Sequence, residues 1–167
     1  NALWETYVPV RGLDLGSVLL IFCVWIPALI IMFQLSGFKD RSPREKAPFI
    51  PLMVLAGWVS VASFVNIAVV ANLLDINPFS LSLESQAIIT IVSGGLLTAS
   101  IAFYFGSIPY ALATCWGFYA VYVKNGARGD INIGYLALVL GILGVLAALS
   151  KRGWVFYQNR MSTQSQV

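Results

Sequence analysis

The chain has 167 residues, 59% of them hydrophobic and only 10% charged, with a net charge of +3 and no histidine. A charged share so far below the roughly 25% of ordinary domains argues against a soluble fold, and the small positive excess shows no basic face for nucleic acid. The missing histidine removes the commonest metal ligand and the usual general base at neutral pH.

Four uncharged stretches, 15–38, 47–74, 85–123 and 131–150, dominate what remains. A helix needs about 20 apolar residues to cross a hydrocarbon core. The expected fold class is therefore all-α: a polytopic transmembrane helical bundle forming one domain over 1–167. Residues 1–14 are short and mixed, with Trp4 and Tyr7 placed like interface anchors. No basic n-region precedes the first apolar stretch, so no secretory signal is expected in this sequence. The first span runs over about 15–36, with Trp25 and Pro27 bending and packing it, and a polar loop follows at 39–46. Pro48 and Pro51 open a second span, about 48–74. Asp75 to Glu84, with Asn77-Pro78 and two serines, reads as a turn and helix caps.

The 85–123 stretch is too long for one crossing. Gly106-Ser107-Ile108-Pro109 breaks it, because proline ends a helix and glycine permits the turn. Two spans result, about 85–105 and 109–124. A last crossing at 132–150 precedes a polar tail, 151–167, whose end from Ser162 is expected to be disordered. Gly134, Ala137, Gly141 and Gly144 either let another helix approach closely or reflect ordinary membrane glycine usage.

These five crossings put Lys39, Arg41, Arg44, Lys46, Lys151, Arg152 and Arg160 on one side, seven of the ten Lys and Arg residues. The positive-inside rule then places the C-terminus in the cytoplasm, matrix or stroma of a bacterial inner membrane or organelle membrane. Cys23 and Cys115 lie in apolar stretches, where a thiol is a small hydrophobe, so no disulfide is expected.

No carboxylate lies within a span, and no phosphate loop, Cys-x-x-Cys pair or nucleophile elbow is present. Neither a catalytic nor a metal-ligating residue is assigned, and an enzyme is not expected. The second span is the most informative. Trp58, Ala62 and Asn66 stand at i, i+4 and i+8, a stripe on one helix face. Asn66 lies inside the uncharged stretch, where an unsatisfied amide costs several kcal/mol. Two readings stay open: an apolar pocket with one orienting polar group, and a helix–helix contact in which Asn66 bonds across the interface. Trp116, Tyr119 and Tyr122 read as core or interface aromatics. Val155-Phe156-Tyr157 with Arg160 fits a loose cholesterol-contact pattern that a basic aromatic tail also meets by chance.

The run Gly57-Trp58-Val59-Ser60-Val61-Ala62-Ser63-Phe64-Val65-Asn66 resembles the fifth-helix signature of the translocator protein family, the tryptophan-rich sensory proteins. Asn1-Ala2-Leu3-Trp4 resembles that family's Asn-x-x-Trp near the end of its third helix. Pro109-Tyr110-Ala111-Leu112, Trp116-Gly117 and Lys124 look like the extension of its longer members. The family's first two helices have no counterpart in this sequence, and Pro51 stands seven residues ahead of Trp58. The resemblance implies a non-catalytic protein that binds flat apolar ligands, with Trp4, Trp58, Ala62 and Asn66 facing the ligand. The bound group is open between a porphyrin, a chlorophyll and lipid. The alternative is an accessory subunit of a photosynthetic or respiratory membrane complex, contacting other subunits and pigments. Without histidine, a chlorophyll there would take Asn, Gln, a carboxylate, a backbone carbonyl or water as its axial ligand.

Overall fold

The computed structural model describes residues 2–36, 47–77 and 80–164. Every regular element among them is helical: α1 (Ala2–Arg11), α2 (Leu15–Ser36), a 3₁₀ turn (Ala47–Phe49), α3 (Ile50–Leu73), α4 (Leu83–Phe105), α5 (Ile108–Arg128) and α6 (Ile131–Gln164). The 39–46 loop, Pro78 and the end of the tail from 165 lie outside the described residues.

The helix ends follow the punctuation of the sequence. Ser82 caps α4 by accepting from the Ser85 N–H at 3.2 Å, and Glu84 sits in the first turn, where the helix dipole favours a carboxylate. Gly106 ends α4 in the left-handed region at φ 57°. Ser107 then caps α5, and Pro109 occupies its first turn, where no N–H partner is needed. The break at 106–109 is thus a hairpin with a two-residue link. Gly129, at φ 90°, ends α5 in the same way.

Contacts fix the directions of the helices. Ser17 meets Asn66 and Trp25 meets Ser60, so α2 and α3 are antiparallel. Gly57 lies against Tyr110 and Gly117 against Val61, so α3 and α5 are parallel. Gly134 packs on Tyr122 and Gly141 on Cys115 and Phe118, so α5 and α6 are antiparallel. One buried cluster draws on all five long helices: Ala28 and Met32, Ala56, Ala102, Tyr110 and Ala111, and Ala148. Alanine and glycine dominate such seams because association in lipid rests on close packing rather than on hydrophobic expulsion. A Cβ at Gly141 would stand 3.1 Å from Phe118 Cβ and 3.2 Å from Cys115 Cα. Gly134 and Gly141 of α6 therefore serve the close α5–α6 approach.

Among the described residues, four helical segments are long and apolar enough to cross a membrane: Leu15–Gln34, Ala47–Leu73, Leu83–Phe105 and Ile131–Ser162. The span read at 109–124 falls on α5, which is less apolar than these four. At 21 residues it is about 31 Å long, and it packs alongside α3 and α6.

The largest departure from the sequence reading is at the C-terminus. The polar residues after 150 do not end the helix, and α6 runs for 34 residues, about 51 Å against a core of about 30 Å. Residues 151–164 contain one glycine, Gly153, and no proline, so nothing in the backbone stops it. The change of composition at Lys151 marks the edge of the apolar stretch, not the end of the helix. Ser162–Gln164, expected to be disordered, belong to its last turn.

Candidate functional site

The corner where α1, α2 and α3 meet is polar. Asp14 precedes α2 and accepts the Ser17 N–H at 2.9 Å, while Ser17 Oγ donates to the Asp14 carbonyl at 2.7 Å. The Tyr7 hydroxyl donates to the other carboxylate oxygen at 2.8 Å. These bonds, the Ser17 N–H foremost, hold the Asp14 carboxyl below its ordinary range. The bond to Asp14 is likewise the first cause that pushes the Tyr7 phenol up. Tyr7 and Trp4, read as interface anchors, both turn toward the protein. Trp4 packs with Ala62 against the buried cluster of Ile21, Trp25 and Val59.

Asn66 is 3% exposed, and its amide lies 3.1 Å from Ser17 Oγ, across the α2–α3 contact. Ser17 has one hydroxyl proton, and the Asp14 carbonyl is the nearer acceptor. Turning the amide places Nδ2 as a donor toward Ser17 Oγ and leaves Oδ1 over. In either orientation one amide atom of Asn66 has no partner among the described residues, and the buried Trp4 Nε1 has none there either.

A second buried polar group joins three helices. Trp25 Nε1 donates to Ser60 Oγ at 2.7 Å, Ser60 Oγ donates to the Ala56 carbonyl at 2.7 Å, and the Tyr110 oxygen lies 2.9 Å from Ser60 Oγ. The single Ser60 proton is committed to Ala56, so Tyr110 is the donor in the third bond. Ser60 thus has one donor and two acceptor positions, all used. Ser63 and Thr98 satisfy their hydroxyls on carbonyls of their own helices, as buried hydroxyls in apolar surroundings must.

Trp58 lies elsewhere. A step of eight residues turns about 80° round a helix. The stripe that begins at Trp58 therefore rotates through Ala62 until Asn66 faces α2. Trp58 is 41% exposed and borders an open groove of about 750 Å³ between α3 and α5. One wall is Ile50, Val54 and Trp58. The other is Ile108, Leu112 and Trp116, with Pro109 and Ala113 beside them, and Arg152 stands at one end. Arg152 Nε donates to the Gly106 carbonyl at 3.0 Å, tying α6 to the α4–α5 turn and fixing the guanidinium at that mouth. Trp116 then begins a file of rings, with centroids 5.6 Å to Tyr119, 6.1 Å from there to Tyr122, and 5.4 Å on to Tyr135. Val155, Phe156 and Tyr157 are exposed on the last turns of α6, where the Arg160 guanidinium lies 5.3 Å from the Phe156 ring centroid.

The structure brings Trp4 and Ala62 against one cluster, puts Asn66 one turn beyond Ala62, and sets Trp58 on the groove. Asn1, the partner of Trp4 in the sequence motif, lies outside the described residues. Sequence reasoning missed Ser60, Tyr110 and Arg152 as site residues and read Trp116 as packing. One signal was present: Ile50-Val54-Trp58 and Ile108-Leu112-Trp116 are matching i, i+4, i+8 files on two helices.

Long apolar helices, small-residue seams and internally satisfied buried hydroxyls define an integral, multi-pass helical membrane protein. The chain belongs to the TSPO-like protein family, whose model matches residues 1–150. No curated protein and no solved structure gives a match.

Proposed function

We propose that the protein is a non-catalytic membrane receptor for a flat apolar ligand, a tetrapyrrole or a lipid, held in the α3–α5 groove with Trp58 as its principal contact. The observation that carries this reading is the pairing of two exposed indoles, Trp58 and Trp116, across an apolar groove. A volume of about 750 Å³ lies within the common range for small-molecule sites, and indole faces suit a planar partner. The lining offers no side chain that ligates a metal, since Arg152 stays protonated. It suits a metal-free porphyrin or a lipid better than chlorophyll, whose magnesium would find no axial side chain there. Trp4, Ala62 and Asn66 keep a supporting part, with unfilled hydrogen-bonding capacity one helix face away. The Arg152 mouth is assigned to the cytoplasmic, matrix or stromal side, from the excess of Lys and Arg at that end of the bundle.

Porphyrin titration of the detergent-solubilised protein, read by tryptophan quenching, tests the site. Trp58→Ala is expected to raise Kd about tenfold, equal to about 1.4 kcal/mol, while Asn66→Leu changes it by no more than about threefold, in line with the ~0.6 kcal/mol average of interhelical polar contacts. The reverse order would move the ligand to the α1–α2–α3 corner.

A second reading, an accessory subunit of a larger complex, draws on the exposed aromatic file from Trp116 to Tyr135. It expects extraction in mild detergent as a large, pigmented species. A small colourless species would favour the receptor.

A further inference from the structure

We propose that the natural occupant of the groove is an acidic phospholipid, its phosphodiester at Arg152 and its acyl chain laid against Trp58 and Trp116. This rests on the groove reading above and names the chemical class that the groove selects.

Three observations carry it. The first is charge: among the described residues, Arg152 is the one charged side chain in the lining, and the others there are apolar or aromatic. Its Nε bond to the Gly106 carbonyl holds it in place and leaves both Nη groups as the donors that a phosphate would meet. Lys151, its neighbour, is turned to the Phe103 ring, 5.5 Å from the centroid, and is not in the lining. The second is level: Arg152 stands two residues past the uncharged run 131–150, about the depth at which bilayer phosphates lie. The third is depth. Ile50 to Trp58 and Ile108 to Trp116 are each a rise of about 12 Å along the helix. Tryptophan gathers at the interface level, yet these two indoles lie well below the Arg152 mouth. A cation at phosphate level with an apolar slot beneath it matches an acidic headgroup and the upper part of one chain. A neutral sterol brings no anion to that charge, and a zwitterionic lipid brings its phosphodiester together with a cation that offsets it, so a net negative headgroup is the better match.

The test uses the whole chain in bilayer discs of phosphatidylcholine. Equal small fractions of brominated phosphatidylglycerol or brominated phosphatidylcholine are added, and quenching is read as the part lost in Trp58→Phe and Trp116→Phe variants. The glycerol lipid is expected to quench that part about fivefold more effectively, the size of one basic residue near an acidic headgroup. R152Q should bring the two lipids to parity, whereas K151Q should leave the preference in place. R152K keeps the charge but loses the Nε bond and the paired Nη donors, and it should retain a measurable part of the preference. If R152K fell as far as R152Q, the charge at that mouth would not be what selects the lipid and the proposal would be overturned. Equal quenching by both lipids in the unaltered protein would also overturn it while leaving the groove as a site. No quenching of Trp58 or Trp116 by either lipid would remove the groove reading too.

Discussion

Replacing Gly57 by alanine is expected to destabilise the bundle by about 1–3 kcal/mol, the usual cost of overpacking a fitted contact. A Cβ there would collide with the backbone carbonyl oxygen of Tyr110 and stand 3.0 Å from Ala113 Cβ. A flexible side chain could swing aside, but a helix backbone cannot. Relief requires α5 to move away from α3, which also lengthens the Tyr110–Ser60 bond. Alanine raises intrinsic helix propensity by up to ~1 kcal/mol over glycine, so the control matters. Gly153 has nothing within 4 Å of a built Cβ, and Gly153→Ala should be neutral or mildly stabilising. Equilibrium unfolding in mixed micelles compares the two. A Gly57→Ala protein as stable as Gly153→Ala would show that the α3–α5 spacing relaxes at no cost.

Ser60→Ala is the second large effect expected, about 2 kcal/mol. It takes the acceptor from Trp25 Nε1 and the Tyr110 hydroxyl together, and an orphaned buried donor costs roughly 1–3 kcal/mol. Tyr110→Phe removes one donor and leaves Ser60 bonded to Trp25 and Ala56, so it should cost nearer the ~0.6 kcal/mol average of interhelical polar contacts. The order of effects is the discriminating result. Should Tyr110→Phe prove as damaging as Ser60→Ala, Ser60 would not be the shared centre of the three helices. The same micelle unfolding measures both variants.

Much of the architecture could be read from local chemistry. Gly106-Ser107-Ile108-Pro109 announced its hairpin because each residue type does one thing there: left-handed turn, cap, first turn, no donor. Four of the spans were legible because length and apolarity alone mark them, whereas the one read at 109–124 falls on the less apolar α5. The end of α6 was not, because the polar residues after 150 carry no helix-breaking signal, so composition changed where the backbone did not. Which faces meet was not legible either. The helices are apolar nearly all round, and that removes the polar and apolar sides by which a soluble helix shows its orientation. Trp58, Ala62 and Asn66 therefore looked like one stripe, and only their neighbours reveal that it rotates from groove to α2. Ser60, an unremarkable serine among several, became the central polar residue because Trp25 and Tyr110 arrive there from 35 and 50 residues away.

The helix directions also separate contacts made close by in the chain from those made at a distance. Helices α2 and α3 are neighbours in sequence as well as in space. Their shared contacts, Ser17 with Asn66 and Trp25 with Ser60, close without anything that follows. The far side of α3 stays open. Gly57 presents bare backbone, and Ser60 holds one vacant acceptor position, until Tyr110 has been made. The α2–α3 contact is thus local in the chain, whereas the α3–α5 seam, glycine and serine rather than bulky side chains, is closed only by a tyrosine 50 residues beyond Ser60.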